Sequence, residues 1–77
     1  METIKLLDVV ALTEDFPQQN LRRGEVGTVV EILAPDVFEV EFSDDSGEAY
    51  AFASLRAEQL ILLYYGKHAA QAASEAA

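Results

Sequence analysis

The stretch from Arg22 to Phe42 constrains the fold more than any other part of the chain. β-Branched and glycine residues run through Val26-Gly27-Thr28-Val29-Val30-Glu31-Ile32, Ala34-Pro35-Asp36 follows, and then Val37-Phe38-Glu39-Val40-Glu41-Phe42 alternates at period two. A strict apolar/acidic alternation is the mark of a strand with one face buried and one wetted. Proline presets φ and cannot donate to a ladder, so Ala34-Pro35-Asp36 is expected to turn the chain between two antiparallel strands. Within the first of these, Glu31 argues that Val30 and Ile32 point inward, against the alternative of Val29 with Leu33.

The flanking segments extend the pattern. Asp8-Val9-Val10-Ala11-Leu12 reads as an earlier strand with Val10 and Leu12 on the buried face, which requires Asp8, of the same parity, to sit just outside the sheet. Thr13 to Gly24 has neither helical nor strand periodicity and is expected to be one long loop. Loops of that length are uncommon unless functional or pinned, and Phe16 and Leu21 are the expected pins. Gly24 and Gly27 bracket the start of the next strand, where a positive φ, a close backbone approach or a bulge is expected. Ser43-Asp44-Asp45-Ser46-Gly47 is a hairpin connection whose acids and glycine suit unusual backbone angles. Its acids lack the following residues of a calcium loop, so no metal is expected there.

Glu48-Ala49-Tyr50-Ala51-Phe52-Ala53 makes a fourth strand, with Tyr50 and Phe52 on one face and alanines on the other. Ser54 is a reasonable N-cap for a helical or 3-10 turn through Gln59, after which Leu60-Ile61-Leu62-Leu63 forms a last strand. Five short strands, one long early loop and a single helical turn before the last strand predict an all-β, five-stranded SH3-like barrel over residues 1–66. The expected core is Val10, Leu12, Val26, Val30, Ile32, Phe38, Val40, Phe42, Phe52, Leu55, Leu60 and Leu62. Residues 67–77 are alanine-rich and empty of large apolar groups. They are expected to be a frayed helix or a disordered tail, with Lys67 and Glu75 opposing the helix dipole.

The bulk properties narrow function by exclusion. A chain of 77 residues has no cysteine and one histidine, His68, which falls in the tail. A nucleophile, base or metal held in geometry is therefore not in evidence, and no catalytic residue, cofactor or metal site is expected. Fourteen acidic against five basic residues give a formal charge of -9, which repels nucleic acid and anionic membrane at long range and favours a basic protein partner. The longest apolar run, Leu60 to Tyr65, is far short of the roughly 20 residues that cross a bilayer. Met1-Glu2-Thr3-Ile4-Lys5 does not read as a secretion signal, so a cytoplasmic protein is expected.

Three groups are candidate contact residues. Glu31, Glu39 and Glu41 can share one sheet face as an acidic patch that steers a basic partner. Arg22 and Arg23 can grip a phosphate or carboxylate through their guanidiniums, or pair locally with Glu14, Asp15 or Glu25. Tyr64 and Tyr65, where the chain leaves the last strand, carry large rings with polar tips of the kind that anchor interfaces. A non-enzymatic protein-binding module is the leading expectation.

Asp8-Val9-Val10-Ala11-Leu12, Leu21-Arg22-Arg23-Gly24-Glu25-Val26-Gly27-Thr28-Val29-Val30-Glu31, Phe38-Glu39-Val40-Glu41-Phe42 and Gln59-Leu60 together resemble an uncharacterised family of short bacterial proteins known only as a domain of unknown function. The resemblance covers residues 4–65 and implies an SH3-like fold. Some such families sit beside small toxins, which implies an antitoxin or immunity-type inhibitor. The Gly24-x-x-Gly27-Thr28-Val29 turn is also similar to the KOW motif, implying as an alternative an RNA- or ribosome-associated module. It is similar too to small SH3-like accessory subunits of larger complexes. KOW modules bind largely through basic residues, whereas here only Arg22 and Arg23 cluster. The oligomeric state is not legible.

Overall fold

A computed structural model describes residues 3–44 and 46–64, with Tyr64 described by its backbone alone. The expected tail, 67–77, and Tyr65 lie outside the described residues. The chain folds as five antiparallel strands: β1 (Val9–Leu12), β2 (Val26–Ala34), β3 (Val37–Ser43), β4 (Ala49–Arg56) and β5 (Leu60–Tyr64). Their order in the sheet is β4-β3-β2-β1-β5, and the only helical pieces among the described residues are two 3-10 turns, Pro17–Gln19 and Ala57–Gln59. The fold is all-β, as the alternation predicts. The sheet is open in its pairing: no ladder joins β4 to β5 among the described residues, so the expected closed barrel is not seen.

Among the described residues no helical layer covers this sheet, yet Val10, Val29, Val40, Phe42 and Leu55 are fully buried. A single sheet buries side chains so deeply only by curling over its own inner face. The register shows how the large groups fit. Phe42 stands opposite Gly27 of β2 on one side and Ala51 of β4 on the other, so its ring lies between two neighbours that leave it room. A Cβ on Gly27 would fall 2.8 Å from the Glu41 carbonyl oxygen and 2.7 Å from Val40 Cγ1, which is why this position holds glycine. The next inner row pairs Val29 with Val40 and Val40 with Ala53, and the last pairs Phe38 with Leu55.

That register corrects the expected core at four places. Val26, Val30, Ile32 and Phe52 are 47%, 36%, 48% and 49% exposed. Val29, rather than Val30, is the buried residue of β2, because Gly27 and Val29 share the parity that faces Phe42 and Val40. The pairing then jumps from Val29↔Val40 to Glu31↔Glu39, leaving Val30 as the extra residue of a bulge. The bulge resets the parity, so Ile32 does come opposite Phe38, but at the end of the strand where the core no longer covers it. Phe52 faces out because the inner positions of β4 lie against Phe42 and Val40, and alanine fills the remaining space. Leu62 is half-buried against the core, and Ile4, Leu21 and Ala53 complete it.

The connections follow the local chemistry. Asp8 does lie outside β1 and is buried; its carboxylate accepts from the Lys5 amide at 2.7 Å. The long loop is not wholly irregular: Pro17 opens a 3-10 turn that Asn20 ends in the left-handed region at φ 59°. Its pins are as expected, Leu21 being buried and Phe16 packed on the core, with a backbone bridge joining the two. In the β3–β4 hairpin, Asp44 Oδ1 accepts from the Ser46 amide and hydroxyl and from the Glu48 amide at 2.8–3.0 Å. Ser54 is not an N-cap. The inward run Ala51, Ala53, Leu55 keeps β4 paired to Arg56, and the 3-10 turn starts only at Ala57, where Gln59 Oε1 accepts from the Arg56 amide at 2.9 Å.

Candidate functional site

The outer face of the sheet collects the acidic candidates. Alternation along β3 turns Glu39 and Glu41 away from the core residues Phe38, Val40 and Phe42. The Val30 bulge then brings Glu31 of β2 directly opposite Glu39. Without the bulge, the parity of Val29 would have placed Glu31 on the inner side. Like charges directly opposite on a sheet repel, so this pairing costs stability. No cation pairs with Glu31, Glu39 or Glu41 among the described residues, whose one ion pair is Arg56–Glu58. Relief for Glu39 comes from Ser54, whose hydroxyl donates to Glu39 Oε1 at 3.0 Å from the neighbouring β4. The hydroxyl that sequence marks as a helix cap is therefore a carboxylate ligand.

An aromatic residue stands beside these carboxylates, but it is neither of the expected pair. Phe52 lies opposite Glu41 on the outer face, and Tyr50, two residues along β4, is 52% exposed. Tyr64 ends β5 opposite Val9, at the far side of the sheet from β4, and Tyr65 lies outside the described residues. Sequence reading misses Tyr50 and Phe52 because large apolar rings are ordinarily assigned to the core. The signal was present in the alanines that alternate with them.

Arg22 and Arg23 are placed by their backbone rather than by ion pairs. The Arg22 amide donates to Glu25 Oε2 at 2.6 Å and the Arg23 amide to Asp15 Oδ1 at 2.9 Å. The expected partners Asp15 and Glu25 are thus engaged, but as acceptors that shape the Arg22–Glu25 turn, in which Gly24 takes φ 91°. Both guanidiniums are exposed and make no ion pair among the described residues. Glu25 also accepts from the Tyr50 hydroxyl at 2.7 Å through Oε1, so one carboxylate fastens the end of the long loop to β4. That hydrogen bond, with burial and the Glu25 charge adding to it, holds the Tyr50 phenol above its ordinary pKa.

Among the described residues no group of three or more histidines or carboxylates is placed to hold a metal ion, and no helix is long and apolar enough to cross a membrane. The described residues offer a surface of three carboxylates over two strands with the exposed Phe52 ring beside them, while the exposed Tyr50 ring at the start of β4 is fastened to the arginine-bearing turn. Such a surface can recognise cations and cation-bearing side chains through charge and ring faces.

Comparison with curated proteins and with solved structures gives no match. A family model does match over residues 6–62, spanning all of β1 to β4 and most of β5. The chain belongs to the family described as Domain of unknown function (DUF4926).

Proposed function

We propose that this protein is a non-enzymatic binding module whose outer sheet face recognises a basic protein, acting in the bacterial cytoplasm as an antidote or immunity-type inhibitor. The observation that carries the reading is the Glu31–Glu39 cross-strand pair, continued by Glu41, with no ion pair to any of the three among the described residues. A like-charge pair costs the free protein stability that a bound Lys or Arg returns. Phe52, opposite Glu41, adds an exposed ring face beside the carboxylates, which suits guanidinium or ammonium groups. The curled five-stranded sheet with a 3-10 turn before β5 supports an SH3-like barrel as the scaffold.

Capture of partners from the native host at low and high salt, with wild type and the Glu31→Gln/Glu39→Gln/Glu41→Gln variant side by side, tests this reading. A basic protein retained by wild type at low salt, and lost both at high salt and with the variant, is the expected result. Equal retention under all conditions would remove the acidic face from the account.

The exposed guanidiniums of Arg22 and Arg23 favour a second reading, a KOW-like RNA-associated module. Titration with labelled RNA at low salt separates the two. Tight binding that weakens steeply with salt and disappears in Arg22→Ala/Arg23→Ala would place RNA first.

A further inference from the structure

The end of the sheet that carries the β2–β3 turn holds an open cleft of about 680 Å³. Its apolar wall includes Ile4 before β1, Phe38 of β3, and Leu60 and Leu62 of β5. Two acids line it, Asp36 from the β2–β3 turn and Glu58 from the 3-10 turn before β5, and no lysine or arginine lines it among the described residues. These two turns are fastened together: the Ala57 amide donates to the Asp36 carbonyl at 2.9 Å, fixing both acid-bearing segments against one another. Glu58 is paired to Arg56 at 3.6 Å, but with side chains 61% and 75% exposed that contact is weak and easily exchanged.

We propose that this cleft is a second recognition site that takes an extended peptide segment carrying aliphatic side chains flanked by lysine or arginine. The volume falls in the range of ligand pockets and exceeds what one side chain fills. The wall rewards apolar groups and the two acids reward flanking cations, while the net charge of -9 steers such a segment inward. A purely cationic segment would leave the wall wet, and an uncharged apolar one would gain nothing from Asp36 and Glu58. The inference rests on the reading of a basic protein partner and adds a place for one of that partner's extended segments.

Titration of the isotope-labelled full chain with defined peptides tests it, read by backbone amide chemical shifts. The probes are Lys-Leu-Lys-Leu-Lys, pentalysine, and Ser-Leu-Ser-Leu-Ser. The first should shift amides at 36–38 and 57–62, the other two should leave those amides in place, and Asp36→Asn/Glu58→Gln should weaken the first by about fivefold to tenfold. Both substitutions are at exposed turns and preserve shape, so loss of fold does not enter. Shifts confined to Glu31, Glu39 and Glu41 would overturn the cleft while leaving the acidic-face reading standing. Shifts at neither place would overturn the cleft, and the capture experiment would then decide the broader reading separately. Concentration-dependent shifts at 36–38 and 57–62 without any peptide would assign the cleft to a second copy of the chain and overturn the peptide.

Discussion

At the scale of single residues, the curled sheet encloses the phenylalanines of β3 and leaves that of β4 outside. Phe42 is fully buried and Phe52 is 49% exposed. Phe42→Ala should therefore lower unfolding free energy by about 3–5 kcal/mol, whereas Phe52→Ala should stay within about 0.5 kcal/mol, both read from urea denaturation. Equal losses would return Phe52 to the core. Gly27→Ala should cost about 1–3 kcal/mol, because the added methyl meets a backbone carbonyl that cannot rotate away. Two titrating groups give stability a direction with pH. The Ser46 hydroxyl, followed by the Glu48 amide, holds the Asp44 carboxyl below its ordinary 3.8, so the folded chain binds its proton less readily than the unfolded one. That contribution is complete above pH 3.8 and is lost as pH falls through the lower folded value. Tyr50 has the opposite sign. Its hydrogen bond to Glu25 favours the neutral phenol, so its contribution is complete below pH 10 and is lost as pH rises through the raised folded value. Thermal unfolding of Tyr50→Phe, compared with wild type across both pH limits, should remove the alkaline loss and leave the acid one.

At the scale of elements, the strained feature is the pairing of β2 with β3. Glu31 and Glu39 face each other across the ladder, so Glu31→Gln should stabilise the free protein by about 0.2–1 kcal/mol, with the gain shrinking as salt is added. A loss of stability instead would mean that the pair is not repelling. The same two strands show why sequence reading succeeds on one and fails on the other. β3 was legible because apolar and acidic residues alternate without a break, so its inner and outer faces follow from composition alone. β2 was not, because Val29, Val30, Ile32 and Leu33 offer apolar groups at both parities and the bulge at Val30 switches faces partway along. In β4 the residue types pointed the wrong way: burial follows the space left beside Phe42 and Val40, which admits alanine, and that space depends on register rather than on hydrophobicity. The acidic triad survived these errors because Glu39 and Glu41 were fixed by β3, and the bulge carried Glu31 to the same face. The aromatic part of the site did not, since it required knowing that Phe52 is outside. The cleft was equally hidden, for its walls come from segments far apart in sequence.

At the scale of the whole molecule, fold and charge distribution act together. A chain of this length buries only about 60% of the surface its unfolded form exposes, so its stability margin is small. A repulsive carboxylate row is a cost to such a protein in the free state, and on the proposed function a cationic partner would relieve it. The most direct measurement is the dissociation constant of the captured basic partner at two salt concentrations, for wild type and for Glu31→Gln/Glu39→Gln/Glu41→Gln. The variant should bind at least about tenfold more weakly at low salt and lose most of the salt dependence. An unchanged dissociation constant with an unchanged salt dependence would contradict it.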